Sequence, residues 1–118
     1  MSSKDCIFCK IIKGEIKTDP IFENENIFAF RDIRPLAPVH ILIIPKKHIA
    51  SMNELGEKDK LVLGDMLFCA GEIAKNLGIA EKGYKLLIRT GLNGGQEVPH
   101  IHLHLIGGAR LSEGIHPV

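Results

Sequence analysis

Between residues 100 and 106 the chain reads His-Ile-His-Leu-His-Leu-Ile, placing three of its six histidines at alternate positions among aliphatic residues. A β-strand sends successive side chains to opposite faces. That spacing puts His100, His102 and His104 on one side of a strand and Ile101, Leu103 and Leu105 on the other. Burial of the aliphatic side fixes the register, and the histidine side is fixed with it. At about 3.3 Å per residue, His100 and His104 stand roughly 13 Å apart along the backbone. Three rings so spread cannot all act on one atom, and the reading is that they divide their tasks.

The remaining elements must supply a sheet around this strand. His40-Ile41-Leu42-Ile43-Ile44-Pro45 is the most apolar candidate and suits a central position. Pairing should end at Pro45, which has no N–H to give a ladder. Residues 21–24 and 27–32 flank the Asn24-Glu25-Asn26 turn and read as a hairpin, and residues 84–89 read as another strand. Residues 6–13 read as a short helix capped by Ser3 or Asp5 and stopped by Gly14. Arg34-Pro35-Leu36-Ala37-Pro38 is a rigid loop, and residues 91–97 are a flexible, glycine-rich one that feeds the histidine strand.

One long helix is predicted over about residues 57–77. Leu63, Met66, Leu67, Ala70, Ile73, Ala74 and Leu77 follow the i, i+3, i+4, i+7 template. Gly78 then ends the helix, with Ile79 packing back behind it. Leu61, Val62, Phe68 and Cys69 widen the apolar surface beyond one stripe, and Gly64 and Gly71 sit mid-helix. Each glycine costs about 1 kcal/mol relative to alanine. Either the helix is tightly packed within the chain, or its second face meets another subunit and the glycines allow close approach. The pattern as a whole predicts an α+β fold, an antiparallel sheet of about five strands with one long and one short helix. A chain of 118 residues, 45% hydrophobic, suits a single domain over residues 1–118 with a tail at 109–118.

Composition excludes several functions. With 15 basic and 14 acidic residues and no long run of either, the chain lacks the basic face that nucleic-acid binding needs. No apolar run is long enough for a membrane span, and the N-terminus lacks a signal-peptide layout. Three cysteines, an odd number, fit reduced thiols in the cytoplasm.

Alternate histidines admit three readings: ordinary core or solvated rings, ligands of a metal such as zinc, or nucleophilic and acid–base catalysts at a phosphorus or acyl centre. The preceding Gly94-Gly95-Gln96-Glu97 loop favours catalysis, because backbone N–H groups beside bare glycines can approach an anion closely.

Residues 94–108, Gly-Gly-Gln-Glu-Val-Pro-His-Ile-His-Leu-His-Leu-Ile-Gly-Gly, resemble the signature of the histidine triad superfamily, His-φ-His-φ-His-φ-φ with φ hydrophobic. The blocks at residues 31–40 (Arg-Asp-Ile-Arg-Pro-Leu-Ala-Pro-Val-His) and 44–49 (Ile-Pro-Lys-Lys-His-Ile) are similar to two others in its Hint branch, the histidine triad nucleotide-binding proteins. The resemblance runs in order from about residue 6 to residue 108.

The resemblance implies a homodimer whose two five-stranded sheets join, with the long helix and a strand at the interface. It implies a purine nucleoside phosphoramidase that hydrolyses the P–N bond of AMP or GMP conjugates. His102 would be the nucleophile, forming a nucleotidyl-histidine, while His104 contacts the phosphate and assists the leaving group. His100 and His40 would support and orient that pair, and Asp32 would hold the ribose hydroxyls. Ile7, Phe8, Ile11, Phe30, Ile33 and Leu42 would line the base pocket, although each taken singly reads equally as core. Gly95, Gln96, Glu97 and Val98 would stand near the phosphate, the first three through backbone N–H groups, with Arg89 close by. Rival readings are a dinucleoside polyphosphate hydrolase, a nucleotide-binding regulatory protein, and a metal-binding module with His100, His102 and His104 on one ion.

Three positions depart from the Hint pattern: Arg89 stands where asparagine is common, and either reaches the phosphate or points away; Pro99 stands where an aromatic residue is usual; and the tail at 109–118 is unfamiliar. Cys6-Ile-Phe-Cys9 has no strand before it, as a redox Cys-x-x-Cys would. Some relatives bind a structural zinc through such a pair, the histidine after the Pro-Lys block and the first triad histidine. By that resemblance Cys6, Cys9, His48 and His100 form a closed Cys₂His₂ zinc set, the alternative being two reduced cysteines on a packed helix. Cys69, on the long helix, reads as inert packing.

Overall fold

The structure, a computed structural model, describes residues 3–113 and Pro117. Five strands form one antiparallel sheet: β1 (Phe22–Glu23), β2 (Ile27–Arg31), β3 (Val39–Pro45), β4 (Tyr84–Ile88) and β5 (Leu103–Gly107), in the order β1-β2-β3-β5-β4. β3 is central and buried on both faces, which is why its sequence is a continuous apolar run and not an alternation. Its pairing with β2 ends at Pro45 opposite Ile27, as a residue without an N–H requires.

The period of two sorts the sheet into two layers. Ile27, Ala29, Ile41, Ile43, Leu103 and Leu105 pack against Met66, Cys69, Ala70, Ile73 and Ala74 of the long helix α2 (Lys60–Asn76). The opposite face, Phe28, Phe30, Leu42 and Ile44, meets Phe8, Cys9 and Ile11 of the short helix α1 (Ile7–Ile12) and Cys6 just before it. Each fully buried aliphatic side chain contributes about 1.5–3 kcal/mol, so both faces hold the register firmly.

α2 follows a 3₁₀ turn at Glu57–Asp59 and closes as expected from sequence. Gly78 takes φ +74°, its N–H donates to Lys75 C=O (3.1 Å), and the Ile79 N–H donates to Ala74 C=O (3.0 Å). That pair of bonds is a Schellman motif, and Ile79 is buried behind it. Leu67, expected in the core stripe, instead lies 45% exposed, because the buried stripe runs through Met66, Cys69 and Ala70. Leu61 and Phe68 also face outward, at 84% and 73% exposure. The helix therefore keeps an apolar face that the described residues of its own chain do not cover.

Three local expectations are corrected. The N-cap position of α1 is Cys6, after the expected Ser3 or Asp5, and the Cys6 sulfur accepts from Cys9 N–H at 3.4 Å. The loop after β4 contains one helical turn, α3 (Gly91–Gly94), bounded by glycines at φ +69° and +77°. The histidine strand joins the ladder only at Leu103, which lies opposite Ile43 of β3 and Ile88, the last residue of β4; the Ile101 N–H goes instead to Ile49 C=O (2.7 Å). Alternation nonetheless continues, with Ile101 buried like Leu103 and Leu105. Gly108 turns the chain out of the sheet at φ +84°, where a Cβ would stand 3.0 Å from that of Pro38. No helix among the described residues is long and apolar enough to cross a membrane. The tail expected at 109–118 is described only to residue 113 and at Pro117.

Candidate active site

The register sets the site. Leu42 of β3 lies opposite His104 of β5 and His40 opposite Ile106, so His40 and His104 are diagonal neighbours on the α1 face. Their rings meet through His40 Nε2 and His104 Nδ1 at 2.9 Å. A backbone N–H can only donate, and that of Leu36 donates to His40 Nδ1 at 3.1 Å. In its neutral form His40 therefore carries its proton on Nε2 and gives it to His104 Nδ1, which leaves His104 with an N–H at Nε2. His104 Nε2 is the one buried side-chain polar atom without a partner among the described residues.

The same reasoning orients His102. A carbonyl can only accept, and His100 C=O takes a hydrogen bond from His102 Nδ1 at 2.8 Å. Nδ1 holds the proton and Nε2 keeps its lone pair. Phe8 packs edge-on against the ring at 5.1 Å, and the His104 ring lies 5.0 Å away. Burial chiefly lowers the pKa of His40, His102 and His104, the last to about 3, where the neighbouring His102 and His40 rings add to it. All three are neutral at physiological pH, the state in which an imidazole is a nucleophile or a hydrogen-bond donor.

These three rings floor an open cleft of about 860 Å³, a size that suits a small molecule. One wall is apolar and comes from Ile7, Phe8, Ile11, Phe30 and Leu42, with Val98 beside them and Ile33 at the mouth. Asp32 is held at the end of β2 by an Asx turn in which its Oδ1 accepts from Arg34 N–H at 2.8 Å; its Oδ2 lies 3.5 Å from His40 Nε2. Arg89, Gly95 and Glu97 form the opposite side.

Two expected residues lie elsewhere. Gln96 does not line the cleft: its side chain accepts from Gly91 N–H (3.0 Å) and donates to the carbonyls of Ala50 (2.7 Å) and Val98 (2.9 Å). The backbone N–H groups of Gly95 and Gln96, expected to face an anion, are used inside the turn by the carbonyls of Leu92 and Gly91. His100 also turns away from the cleft. Lining residues that the sequence reading missed are Ile16, Lys17, Thr18, Arg31, Arg34 and Leu36. Arg31, Arg34 and Leu36 stand in the block at 31–40, whereas nothing in the spacing of Lys17 and Thr18 marks them.

His100 belongs to a second cluster. Its Nε2 donates to Pro45 C=O (2.8 Å), so the Nδ1 lone pair points at Cys6 Sγ (3.3 Å) and Cys9 Sγ (3.6 Å). His48 Nδ1 lies 3.3 Å from Cys9 Sγ. Donor atoms of Cys6, Cys9, His48 and His100 all fall within 4.8 Å of one another, a cluster that could hold a metal ion. The carbonyl on His100 Nε2 is the kind of outer partner that orients a metal-binding imidazole. Burial, with the neighbouring Cys6 adding to it, pushes the Cys9 thiol up to about 11, so Cys9 is no reactive thiolate at neutral pH. The three triad histidines do not share one cluster, which weighs against a single ion held by all of them: Asp32, His40 and His104 group separately, and His102 stands in neither set.

The model of the HIT domain matches residues 13–111. The chain is 47% identical over 109 residues to the purine nucleoside phosphoramidase of Escherichia coli strain K12, an alignment covering 92% of each chain. It resembles the crystal structure of a HIT family hydrolase from Legionella pneumophila with a TM-score of 0.89 and 51% identity, over 92% of this chain and 96% of that one. A HIT family hydrolase from Clostridium thermocellum gives a TM-score of 0.91 at 46% identity, over 95% and 97%. The five-stranded antiparallel sheet and its long helix thus have their counterpart in one family, and the chain belongs to the HIT-domain proteins.

Proposed function

We propose that the protein is a purine nucleoside phosphoramidase, cleaving the P–N bond of AMP or GMP conjugates through a nucleotidyl-histidine at His102. The observation that carries this is the fixed tautomer of His102, whose Nε2 lone pair is left free on a ring that lines the cleft. The purine packs between Phe8, Ile11, Phe30 and Leu42, and the ribose hydroxyls donate to Asp32. The phosphoryl group then sits over His102 and His104. His102 Nε2 forms a bond to phosphorus, and the P–N bond breaks with its electron pair leaving on the amine, which takes a proton from solvent. His104 gives its Nε2–H to a phosphoryl oxygen, the acceptor this buried atom lacks. His40 holds His104 in that tautomer. Water then attacks phosphorus, the P–Nε2 bond breaks, the lone pair returns to His102, and the water's proton goes to solvent.

Cys6, Cys9, His48 and His100 would hold a structural zinc. The donor set fits, with two thiol sulfurs and an Nδ1 lone pair converging in a closed pocket. Bound zinc would cross-link the start of α1 to the segments around His48 and His100. The uncovered Leu61, Leu67 and Phe68 of α2, with Leu86 at 39% exposure on edge strand β4, would pair with a second copy in a homodimer. The free cysteines fit an enzyme of the reducing cytoplasm.

The test is to mix the protein with an adenosine 5′-phosphoramidate and trap the intermediate for mass spectrometry. An AMP adduct on His102 is expected, absent from His102→Ala. An adduct and normal turnover in that variant would sink the mechanism. Faster cleavage of diadenosine polyphosphates than of phosphoramidates would move the protein to the other hydrolase class.

A further inference from the structure

The cleft has two halves, and the nucleoside and its phosphoryl group fill only one. Asp32 follows the last residue of β2 and its N–H donates to His40 C=O, which sets it level with His40 and Ile106, toward the end of the sheet where Tyr84 pairs with Gly107. Arg89 follows the last residue of β4, whose Ile88 pairs with Leu103 at the other end. β2 and β4 are also separated by β3 and β5. Asp32 and Arg89 therefore occupy opposite corners of one sheet face, with His102 and His104 between them. A nucleoside lying on Asp32 and the α1 wall leaves the Arg89 corner to whatever is attached beyond phosphorus.

Arg89 is held there by its neighbours. It continues the face of Leu87, which pairs with His104, and it lines the cleft. Its Nη1 lies 3.4 Å from where a Cβ on Gly95 would be, so the guanidinium packs against the Gly95 turn. The residue is half-buried, yet no carboxylate among the described residues lies within 4.0 Å of a guanidinium nitrogen. Glu97 shares this corner without forming an ion pair with it. A partly desolvated cation without a counter-ion is unfavourable until a ligand supplies one. Its charge is felt in the cleft: burial chiefly lowers the His104 pKa, and Arg89 adds to that.

We infer that Arg89 is a specificity residue that selects phosphoramidates whose amine leaving group carries a carboxylate or similar anion a few atoms beyond the scissile nitrogen. This rests on the phosphoramidase reading and adds to it the charge of the departing half. Glu97, of opposite sign in the same corner, limits the preference.

The experiment compares adenosine 5′-phosphoramidates of glycine and of glycinamide, which differ in one anionic group. The quantity read is the ratio of their kcat/KM values, in which differences in expression or folding of a variant cancel. Arg89→Gln should lower the glycine-to-glycinamide ratio roughly fivefold, the scale of a partly screened ion pair. Arg89→Lys should keep part of it, and Glu97→Gln should raise it. In about 0.5 M salt the wild-type ratio should fall toward that of Arg89→Gln. An unchanged ratio in Arg89→Gln, with both rates falling alike, would overturn the inference by placing the guanidinium on the phosphoryl group itself. Failure of the wild type to cleave either compound would overturn this inference together with the phosphoramidase reading.

Discussion

The two ends of one histidine face use the same device for different chemistry. At one end, Pro45 C=O takes the proton of His100 Nε2 and frees Nδ1 toward the two cysteines. At the other, His100 C=O takes the proton of His102 Nδ1 and frees Nε2 on a ring that lines the cleft. Swapping which nitrogen is tied down decides whether an imidazole becomes part of a closed cluster or a nucleophile at a ligand site. Both rings are buried and their pKa values lowered, that of His100 to about 4, so exposure alone does not distinguish them. What distinguishes them is the company: sulfur within 3.3 Å of His100, and His104 beside His102 with an unpartnered Nε2. The two ends meet in one residue, for His100 gives its side chain to the first and its carbonyl to the second.

The largest test of this division is to remove each ring separately. His102→Ala should lose about 10⁴-fold or more in kcat/KM on an adenosine phosphoramidate, as expected when a covalent nucleophile is removed. His100→Ala keeps its backbone carbonyl and with it the His102 tautomer, so it should lose about tenfold. Steady-state kinetics on variants shown to be folded by circular dichroism measures both. Equal loss in the two variants would mean that the ends are not separate.

Next in size is removal of metal from the sulfur end. A chelator should lower the thermal midpoint by about 10 °C or more, since structural zinc contributes its binding free energy to folding. Native mass spectrometry should show one zinc per chain, lost in His48→Ala. A protein with no bound metal and an unmoved midpoint would leave Cys6 and Cys9 as reduced thiols packed against two histidines.

How the sequence showed these two ends is instructive. Strand alternation at 100–106 put the three rings on one face, and the aliphatic positions that enforce it are buried as expected. Alternation says nothing of which nitrogen is tied, because that depends on Pro45, Leu36 and His100 backbone groups brought close only by tertiary folding. The strand boundary was misjudged because ladder formation depends on the partners, and β4 ends at Ile88, opposite Leu103. Gln96 was misjudged for a related reason. A polar residue in a glycine-rich loop reads as ligand-facing, but its amide is used to close the loop onto Ala50 and Val98. Lys17 and Thr18 reach the cleft only through the path of the chain after α1, which no local pattern encodes. The exposed Leu61 and Phe68 match the widened apolar surface read from the helix, whereas Leu67 shows how narrow the buried stripe is.

A smaller effect is expected from the relay at the cleft end. His40→Ala removes the donor to His104 Nδ1 and frees His104 to place its proton there, turning Nε2 into an acceptor. Turnover should fall about 10- to 100-fold in kcat with KM less affected, the scale of one misdirected hydrogen bond to the transition state. His40→Gln, whose amide can still donate, should recover part of the loss, and neither variant should change metal content. Full activity in His40→Ala would remove the relay from the mechanism.

The smallest effect separates the ends by proton uptake. Unfolded, His104 titrates near the ordinary value of 6.5; folded, it is held down at about 3, chiefly by burial. Between those values the unfolded chain binds a proton that the folded chain refuses, so stability contributed by neutral His104 is complete above about pH 6.5 and is lost as pH falls toward 3. One such group gives a slope of at most about 1.4 kcal/mol per pH unit in that window. Urea unfolding of wild type and His104→Gln, followed from pH 7 to pH 5 at equal metal loading, isolates it. Any protons taken up at the sulfur end contribute equally to both proteins and cancel in the difference. The variant should be less steep than wild type by close to one proton, and the two curves should run parallel above pH 7. Equal slopes below pH 6 would mean that His104 already carries a proton in the folded protein, and then its Nδ1 could not accept from His40.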